Sequence, residues 1–318
     1  MTKLPKVSIC VPIFKVEKCI SKCAESLIQQ TYKNIEFIFV NDCTPDNSMN
    51  ILCEVIEKHP ARSDSVKIIN LPKNEGVAYA RNLAVENATG EFIFWCDSDD
   101  WIEHETIETL VNEGQRTNAD IISCNFCIHK NHGEIKIHNT SSEDPLIHII
   151  KRNHNYRLWG RLIKRSLYKD HGIRSIAGLN VAEDFLTMPK LLYYAEYHHY
   201  VDKALYHYNR CNENSIGFQT SDTDWYRQLL GNYDIFYKFF IGLNDSRFTD
   251  IIKQGKTDFL FLYMGTCARN SQKEGFQLLK KELIKHEESN PEFKYHDFKH
   301  FLKRNYTVYH FLKHFSHH

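Results

Sequence analysis

Glu91-Phe92-Ile93-Phe94-Trp95-Cys96-Asp97-Ser98-Asp99-Asp100 joins an apolar run to three carboxylates in four residues. A run of this length without a polar break reads as a strand buried on both faces, the kind found in parallel sheets covered by helices. In such sheets ligands sit outside the carboxyl ends of the strands, which is where the acidic turn falls. Adjacent carboxylates repel one another, and a purely structural turn gains little from three of them. A divalent cation removes that repulsion, and Mg²⁺ or Mn²⁺ favours carboxylate oxygens shared with phosphates. The competing reading makes Asp100 a helix cap ahead of Trp101-Ile102-Glu103; it accounts for one of the three acids and not for all. A calcium loop is disfavoured, because the D-x-D-x-D-G run and its distal glutamate are absent.

The residues before this stretch repeat its alternation. Val7-Ser8-Ile9-Cys10-Val11 is a short apolar run stopped by Pro12, and Ile20, Cys23, Ala24, Leu27 and Ile28 then mark one helix face. Ile35 to Val40 is the next strand, followed by the turn cluster Asn41 to Asp46 and a helix marked by Ile51, Leu52, Val55 and Ile56. Val66 to Asn70 and a helix opening near Gly76 complete the run, and Ala119 to His129 is a further strand. Strands alternating with helices predict an α/β fold with a mainly parallel sheet flanked by helices. Residues 131–220 are less regular. Beyond them, Leu229, Leu230, Tyr233, Phe236, Tyr237 and Phe240 form one helical stripe, and Ile251 to Ala268 predicts another helix.

Composition bounds the function. The 318 residues carry 40 basic and 40 acidic side chains, with 42% hydrophobic and 25% charged residues. A packed globular protein is expected; a nucleic-acid-binding polycation and a disordered chain are not. No signal-peptide core or 20-residue apolar span is present, so a cytoplasmic protein with reduced thiols is expected. Cys124-x-x-Cys127 lies in a strand-like run without a second metal-ligand pair, and reads as packed thiols. No G-x-G-x-x-G follows the first strand and no G-x-x-x-x-G-K-[ST] occurs, which disfavours dinucleotide binding and P-loop hydrolysis. Arg81, in the second turn of its helix, has two open readings: a surface arginine paired with Glu86 or solvent, or a guanidinium reaching a bound anion.

Four blocks in register carry a resemblance. Val11-Pro12-Ile13-Phe14 with Glu17, Asn41-Asp42 with Asp46, Asn74-x-Gly76 with Ala80-Arg81-Asn82, and Gly90 with Asp97-Ser98-Asp99-Asp100 are similar to family 2 glycosyltransferases of the GT-A (Rossmann-like) fold. These are inverting enzymes of the bacterial polysaccharide and O-antigen type. The likeness continues through Leu158 to Arg165, Glu183-Asp184-Phe185 and Leu205 to Asn209 with Ser215-Ile216, and fades beyond residue 217. It implies a nucleotide-sugar-binding and catalytic domain over 1–217 and a helical C-terminal region over 218–318.

The resemblance also implies roles. A sugar would pass from a nucleotide donor, most often a UDP-sugar, to a hydroxyl of a glycan or lipid-linked acceptor with inversion. Val11, Pro12 and Phe14 would wall the base, with Glu17 nearby, and Asp42 would accept a hydrogen bond from uracil. Arg81 would lie near the base or phosphates, Asp97 would hold the ribose side with Ser98 beside it, and Asp99 would coordinate Mn²⁺ or Mg²⁺ on the diphosphate. Asp184, with Glu183 adjacent, would be the general base; taken alone, that pair reads as an exposed turn or helix start. This chain departs from the family where Phe14-Lys15 replace a common Tyr-Asn and where Cys43 replaces glycine. At a positive φ, Cys43 would carry strain of order 1 kcal/mol. His207 reads as packing more readily than as a ligand. A nucleotidyltransferase and a silent nucleotide-sugar-binding scaffold are the rival readings, each lacking support from the phosphate loop or from the intact acidic sets.

Residues 293–318 hold five Lys/Arg and one acid among eight aromatics, so the 40:40 balance leaves the rest of the chain with four more acids than bases. Two readings stay open for this tail: a basic aromatic helix that lies on an anionic membrane at its inner face and brings the enzyme to a lipid-linked acceptor, or a terminal helix packed on the protein.

Overall fold

A computed structural model describes residues 4–130, 133–137, 145–150, 156–212 and 223–291. Two compact units divide the chain, Met1–Pro145 with Asn155–Ser215, and Leu146–His154 with Ile216–His318. The strands and helices of the first are β1 Val7–Ile13, α1 Ile20–Ile28, β2 Ile35–Asn41, α2 Ser48–Glu57, β3 Val66–Asn70, α3 Val77–Asn87, β4 Phe92–Trp95, β5 Trp101–Ile102, α4 Thr106–Thr117, β6 Ile121–Lys130 and β7 Gly133–Ile137. After α5 Pro145–Ile150 come β8 Arg161–Lys164, α6 Arg165–Asp170, α7 Glu183–Tyr194 and β9 His198–Asn209.

All nine strands join one sheet in the order β3-β2-β1-β4-β8-β6-β9-β5, with β7 added beside β6. The pairs β3-β2, β2-β1, β1-β4 and β6-β9 are parallel, whereas β8 runs antiparallel between β4 and β6 and β5 runs antiparallel to β9. This is the expected α/β architecture, a mostly parallel sheet flanked by helices. The apolar stripe of α1 is buried in full, and Phe92 to Trp95 are buried on both faces of the sheet.

Proline 12 does not stop β1 as its sequence position predicts. The strand runs on to Ile13, with Pro12 opposite Val40. The Ile13 carbonyl accepts from Asp42 N on the β2 side, and the Cys10 carbonyl accepts from Cys96 N on the β4 side. Pro12, two residues beyond Cys10, therefore faces the β4 side, where pairing has ended at Cys10 opposite Trp95. The missing N–H is not needed there.

The three loops at the carboxyl ends of β1, β2 and β3 are tied to one another. Thr44 Oγ1, Ser48 Oγ and an Asp46 carboxylate oxygen accept from the amides of Lys15, Val16 and Glu17, and Glu17 accepts from Asn47 N. Lys15 (φ 55°) and Cys43 (φ 52°) both take the left-handed conformation. Cys43 thus carries the strain expected of it, and Lys15 stands where an asparagine is better tolerated.

In the second unit, α8 Thr223–Gly242, α9 Ser246–Arg269 and α10 Lys273–Ser289 pack on a core that includes Tyr226, Tyr233, Phe236, Phe240, Phe259, Phe276 and Leu283. Four residues of the first predicted stripe, Leu229, Tyr233, Phe236 and Phe240, are among the most buried of α8. Lys256 is buried there between Asp234 at 2.9 Å and Glu282 at 3.5 Å. No described helix is long and apolar enough to cross a membrane. The tail 293–318 lies outside the described residues.

Where β1, β2 and β4 begin, one carboxylate joins three segments. Glu36 accepts from Lys6 Nζ at 2.7 Å, Thr89 N at 2.6 Å, Gly90 N at 3.1 Å and the Ser8 hydroxyl. A Cβ on Gly90 would lie 2.7 Å from Ser8 N and 2.8 Å from the Lys6 carbonyl oxygen, which only glycine avoids. Burial raises the Glu36 pKa, but the bonds from Lys6, Ser8 and Thr89 outweigh it and hold the carboxyl at about 2. A folded-state value below the unfolded one stabilises the protein above about pH 4.5, by roughly 2–3 kcal/mol, and that contribution fades as pH falls toward 2. Glu36→Gln is expected to lower the unfolding free energy by about that amount at pH 7. Chemical denaturation should show the gap to wild type narrowing from pH 5 to pH 3; a pH-independent gap contradicts this assignment.

Candidate active site

The acidic turn emerges where β4 ends in the middle of the sheet. Its three carboxylates have different surroundings. Asp97, 29% exposed at its side chain, accepts from Arg81 Nη2 at 3.0 Å. Ser98 is buried. Asp99 accepts from Asn212 Nδ2 at 2.8 Å, and burial followed by the Asp97 charge pushes its carboxyl up to about 6. Asp100 is 1% exposed. Its Oδ2 accepts from the Tyr206 hydroxyl at 2.6 Å and its Oδ1 from Asn209 N at 2.7 Å. Burial first, then Asp99 and Asp97, hold its pKa well above the carboxylate range.

Asp100 therefore caps no helix. Trp101 and Ile102 form β5, paired with His207 and Tyr206 of β9, and the next helix waits until Thr106. A strand partner about a hundred residues away overrides the local helix-start signal.

Arg81 is buried inside α3, not paired at the surface with Glu86, which meets Arg174 instead. Besides Asp97, its Nε donates to Glu183 Oε1 at 3.2 Å, and its Nη2 lies 3.6 Å from Asp184 Oδ1. Burial works against the Arg81 charge, but Asp97, Asp184 and Glu183 outweigh it and hold its pKa above the ordinary guanidinium value. Arg81 is the cation that all three acids share at contact distance, while Arg157 and Arg161 act on Asp184 from further off. Burial and the Asp184 charge raise the Glu183 pKa, and burial and Asp97 raise that of Asp184, with Arg81 opposing in both.

Glu183 and Asp184 open α7, where the helix dipole favours acids. Neither is exposed. Asp184 Oδ2 accepts from Leu158 N at 3.3 Å, whereas among the described residues its buried Oδ1 accepts no hydrogen bond, meeting Arg81 Nη2 only as an ion pair at 3.6 Å, and buried Arg81 Nη1 donates none. A buried acceptor and a buried donor left without hydrogen bonds cost free energy in a resting protein, and a ligand can satisfy both.

The other expected site residues sit around this centre in distinct ways. Asp42 is buried and its carboxylate accepts from Glu75 N at 2.7 Å, Gly76 N at 2.9 Å and Asn74 Nδ2 at 3.0 Å. It thereby shapes the loop that opens α3. Gly76 has φ 88° and lies so close to Asn180 that a Cβ would sit 2.2 Å from its side-chain nitrogen. Asn180 Oδ1 accepts from Ala78 N, in the first turn of α3. Val11 is fully buried in β1, Pro12 is half-buried, and Phe14 and Glu17 are exposed at the loop. His207 packs: its Nε2 lies 2.7 Å from Glu103 Oε1, its Nδ1 2.9 Å from His129 Nε2, and its ring stacks on Trp101.

Tyr206, Asn209, Asn212 and Asn180 were given no role by the sequence. Leu205 to Asn209 entered only as a block of the resemblance, and its contact with the acidic turn depends on a crossover that local pattern does not carry.

The donor set suits a hard divalent cation. Asp97 and Asp99 bring oxygen ligands and mutual repulsion that a cation relieves. Among the described residues no three or more His, Cys, Asp or Glu side chains converge as a cage. That matches Mg²⁺ or Mn²⁺ chemistry, in which one or two carboxylates share the ion with water and substrate phosphates.

The family model described as glycosyl transferase family 2 matches residues 8–177, more than half of the chain. Bacillus subtilis (strain 168) EpsJ, named as an uncharacterized glycosyltransferase, is 29% identical over 223 residues, covering 67% of this chain and 63% of EpsJ. Putative glycosyltransferase EpsH of the same organism is 33% identical over 215 residues, covering 64% of this chain and 60% of EpsH. The chain thus spans less than two thirds of these relatives. Among solved structures, S. aureus TarS 1–349 in complex with UDP-GlcNAc is similar, with a TM-score of 0.63, 20% identity, and coverage of 92% of this chain and 93% of that one. That likeness concerns the fold.

Arg81→Met would leave two buried acids, Glu183 and Asp184, and the half-buried Asp97 without the cation they share. The expected loss of unfolding free energy is about 3–5 kcal/mol at pH 8. It should shrink at pH 5, because acids whose folded pKa is raised destabilise increasingly as pH climbs from the unfolded value toward the folded one. Denaturant titration at both pH values checks this; an equal loss at each contradicts it.

Proposed function

The chain belongs to glycosyl transferase family 2, and from that membership we propose that it moves a sugar from a nucleotide-diphosphate donor, a UDP-sugar, to a hydroxyl of a glycan or lipid-linked acceptor with inversion. The observation that carries this reading is the buried Oδ1 of Asp184, ion-paired to Arg81 Nη2 at 3.6 Å and, among the described residues, accepting no hydrogen bond.

The roles follow from the chemistry. The acceptor hydroxyl gives its proton to Asp184 Oδ1 as its oxygen attacks the anomeric carbon. The bond from that carbon to the diphosphate breaks, and its electron pair leaves on the phosphate oxygen. A general base supplies typically ~10²–10⁴-fold, most when its pKa lies near the working pH, which the upward shift of Asp184 favours. Glu183 and Asp97 share Arg81 with the base, so the guanidinium keeps the base ionised in a buried place. Asp99, with Asp97 near it, would hold Mn²⁺ or Mg²⁺. Such an ion, when bound, neutralises the charge that develops on the leaving diphosphate.

The donor's base would lie against the Pro12–Phe14 loop, with Val11 behind it and Glu17 at its edge. A carboxylate has about four acceptor sites, and Asp42 uses three on the 74–76 loop. One site on Oδ1 is left for an imide N–H such as that of uracil. Asp97 and Ser98 would face the ribose. The acidic body and basic aromatic 293–318 sequence suit a cytoplasmic enzyme that meets its acceptor at the membrane's inner face.

Asp184→Asn is expected to lower kcat about 10²–10⁴-fold while donor KM changes little, measured as sugar transfer across a panel of UDP-sugars. Equal losses in kcat for Glu183→Gln and none for Asp184→Asn would move the base to Glu183. Activity unchanged in both variants would overturn the reading.

A further inference from the structure

The acidic turn is gripped by one strand. Tyr206 of β9 donates its hydroxyl hydrogen to Asp100 Oδ2 at 2.6 Å and accepts from Asp97 N at 3.2 Å, so one oxygen bridges both ends of the four-residue turn. Three residues on, Asn209 N donates to Asp100 Oδ1 at 2.7 Å and Asn209 Nδ2 to the Asp99 carbonyl at 3.1 Å. The tyrosine ring is itself fixed: it is fully buried and stacks on Trp159 with centroids 4.3 Å apart and planes within 6°. On its other flank, the β5 residues that follow the turn are laddered to the same strand, Trp101 opposite His207 and Ile102 opposite Tyr206.

These contacts divide the three carboxylates. Both Asp100 oxygens point at β9 and are satisfied there, while Asp97 and Asp99 keep partly exposed carboxylates at the end of β4. We infer that Tyr206 and Asn209 are positioning residues for the donor's diphosphate-bound cation, with Asp100 the anchor they hold and not a ligand of that cation. The physical need is plain. Three acids in four residues repel one another and would spread a free turn; two amide donors and one phenol pin it so that Asp99 keeps a single orientation before donor arrives. Burying the phenol against Trp159 fixes its rotamer, so the turn inherits the rigidity of the sheet. The inference rests on the proposed role of Asp99 in holding a cation on the diphosphate.

Calorimetric titration with UDP, in the presence and absence of Mn²⁺, tests it without turnover. Tyr206→Phe keeps the ring stack and removes the bridge. It is expected to weaken Mn²⁺-dependent UDP binding about tenfold and leave metal-free UDP binding within about twofold. Asp100→Asn should weaken it by a similar factor, and the double variant by clearly less than the product of the two single changes, since both alter the Tyr206–Asp100 bond. Asn209→Ala, which removes the side-chain bond to the Asp99 carbonyl together with the contacts of that side chain to Cys19 Sγ and Cys211 N, and keeps the backbone bond to Asp100, should give a smaller loss of the same kind and carries the test if Tyr206→Phe fails to fold. Tyr206→Phe and Asn209→Ala binding Mn²⁺ and UDP as wild type does overturns the inference. So does an Asp100→Asn variant that loses all metal dependence, as Asp99→Asn should, while Tyr206→Phe loses none; Asp100 is then a ligand. Wild-type UDP binding that Mn²⁺ does not alter overturns the reading of Asp99 and the inference together.

Discussion

The buried Arg81 guanidinium governs the geometry around the acidic turn. Arg81 is 4% exposed and meets acids from two distant parts of the chain: Asp97 at the end of β4, and Glu183 and Asp184 at the start of α7. A charge taken out of water at that depth persists only where opposite charge and hydrogen bonds meet it. The requirement fixes where α3 and α7 stand relative to the strand that ends in the acidic turn. Trp95 supplies an aromatic face 5.1 Å from the guanidinium carbon, which excludes water and strengthens each interaction within. Because three acids share this cation at contact distance, the cluster stays poised, with the Glu183 and Asp184 carboxyls shifted upward and, among the described residues, one acceptor and one donor left without a hydrogen bond.

Around that centre each neighbouring carboxylate has a different task, set by its partners. Asp42 builds the loop that opens α3, Asp100 ties the acidic turn to β9, and Glu36 joins three segments at the far ends of the strands. Asp97, Asp99 and Asp184, and one remaining site on Asp42 Oδ1, keep oxygen surface or lone pairs open to a further partner. The acids look alike in the sequence and are separated by what the fold gives them.

Much of the architecture was legible because it is local. Buried strands announce themselves as unbroken apolar runs, and the α1 stripe Ile20, Cys23, Ala24, Leu27 and Ile28 lies on the core side residue for residue. The likeness in four blocks brought together the residues that line the carboxyl ends of the strands. What escaped was set by long connections. Asp100-Trp101-Ile102 looks like a helix start until β9, over a hundred positions on, pairs with it. Pro12 looks like a strand end until it is known which side of β1 loses its neighbour. Arg81 reads equally as a surface residue or as a guanidinium reaching an anion, since nothing near it in sequence reveals the α7 acids it will meet. Tyr206 and Asn209 are ordinary strand residues by pattern, and their importance comes only from the turn they face.

The account turns on Arg81 joining Asp97 at the end of β4 to Asp184 at the start of α7. A double-mutant cycle on unfolding free energy with Asp97→Asn, Asp184→Asn and the combined variant measures that link. With one cation shared by three acids, removing either acid relieves crowding and removing the second relieves less. The effects should therefore depart from additivity by more than about 1 kcal/mol, the double variant being less stable than the sum of the singles predicts. Additivity within about 0.3 kcal/mol would mean that the two acids do not share Arg81, and would contradict the account.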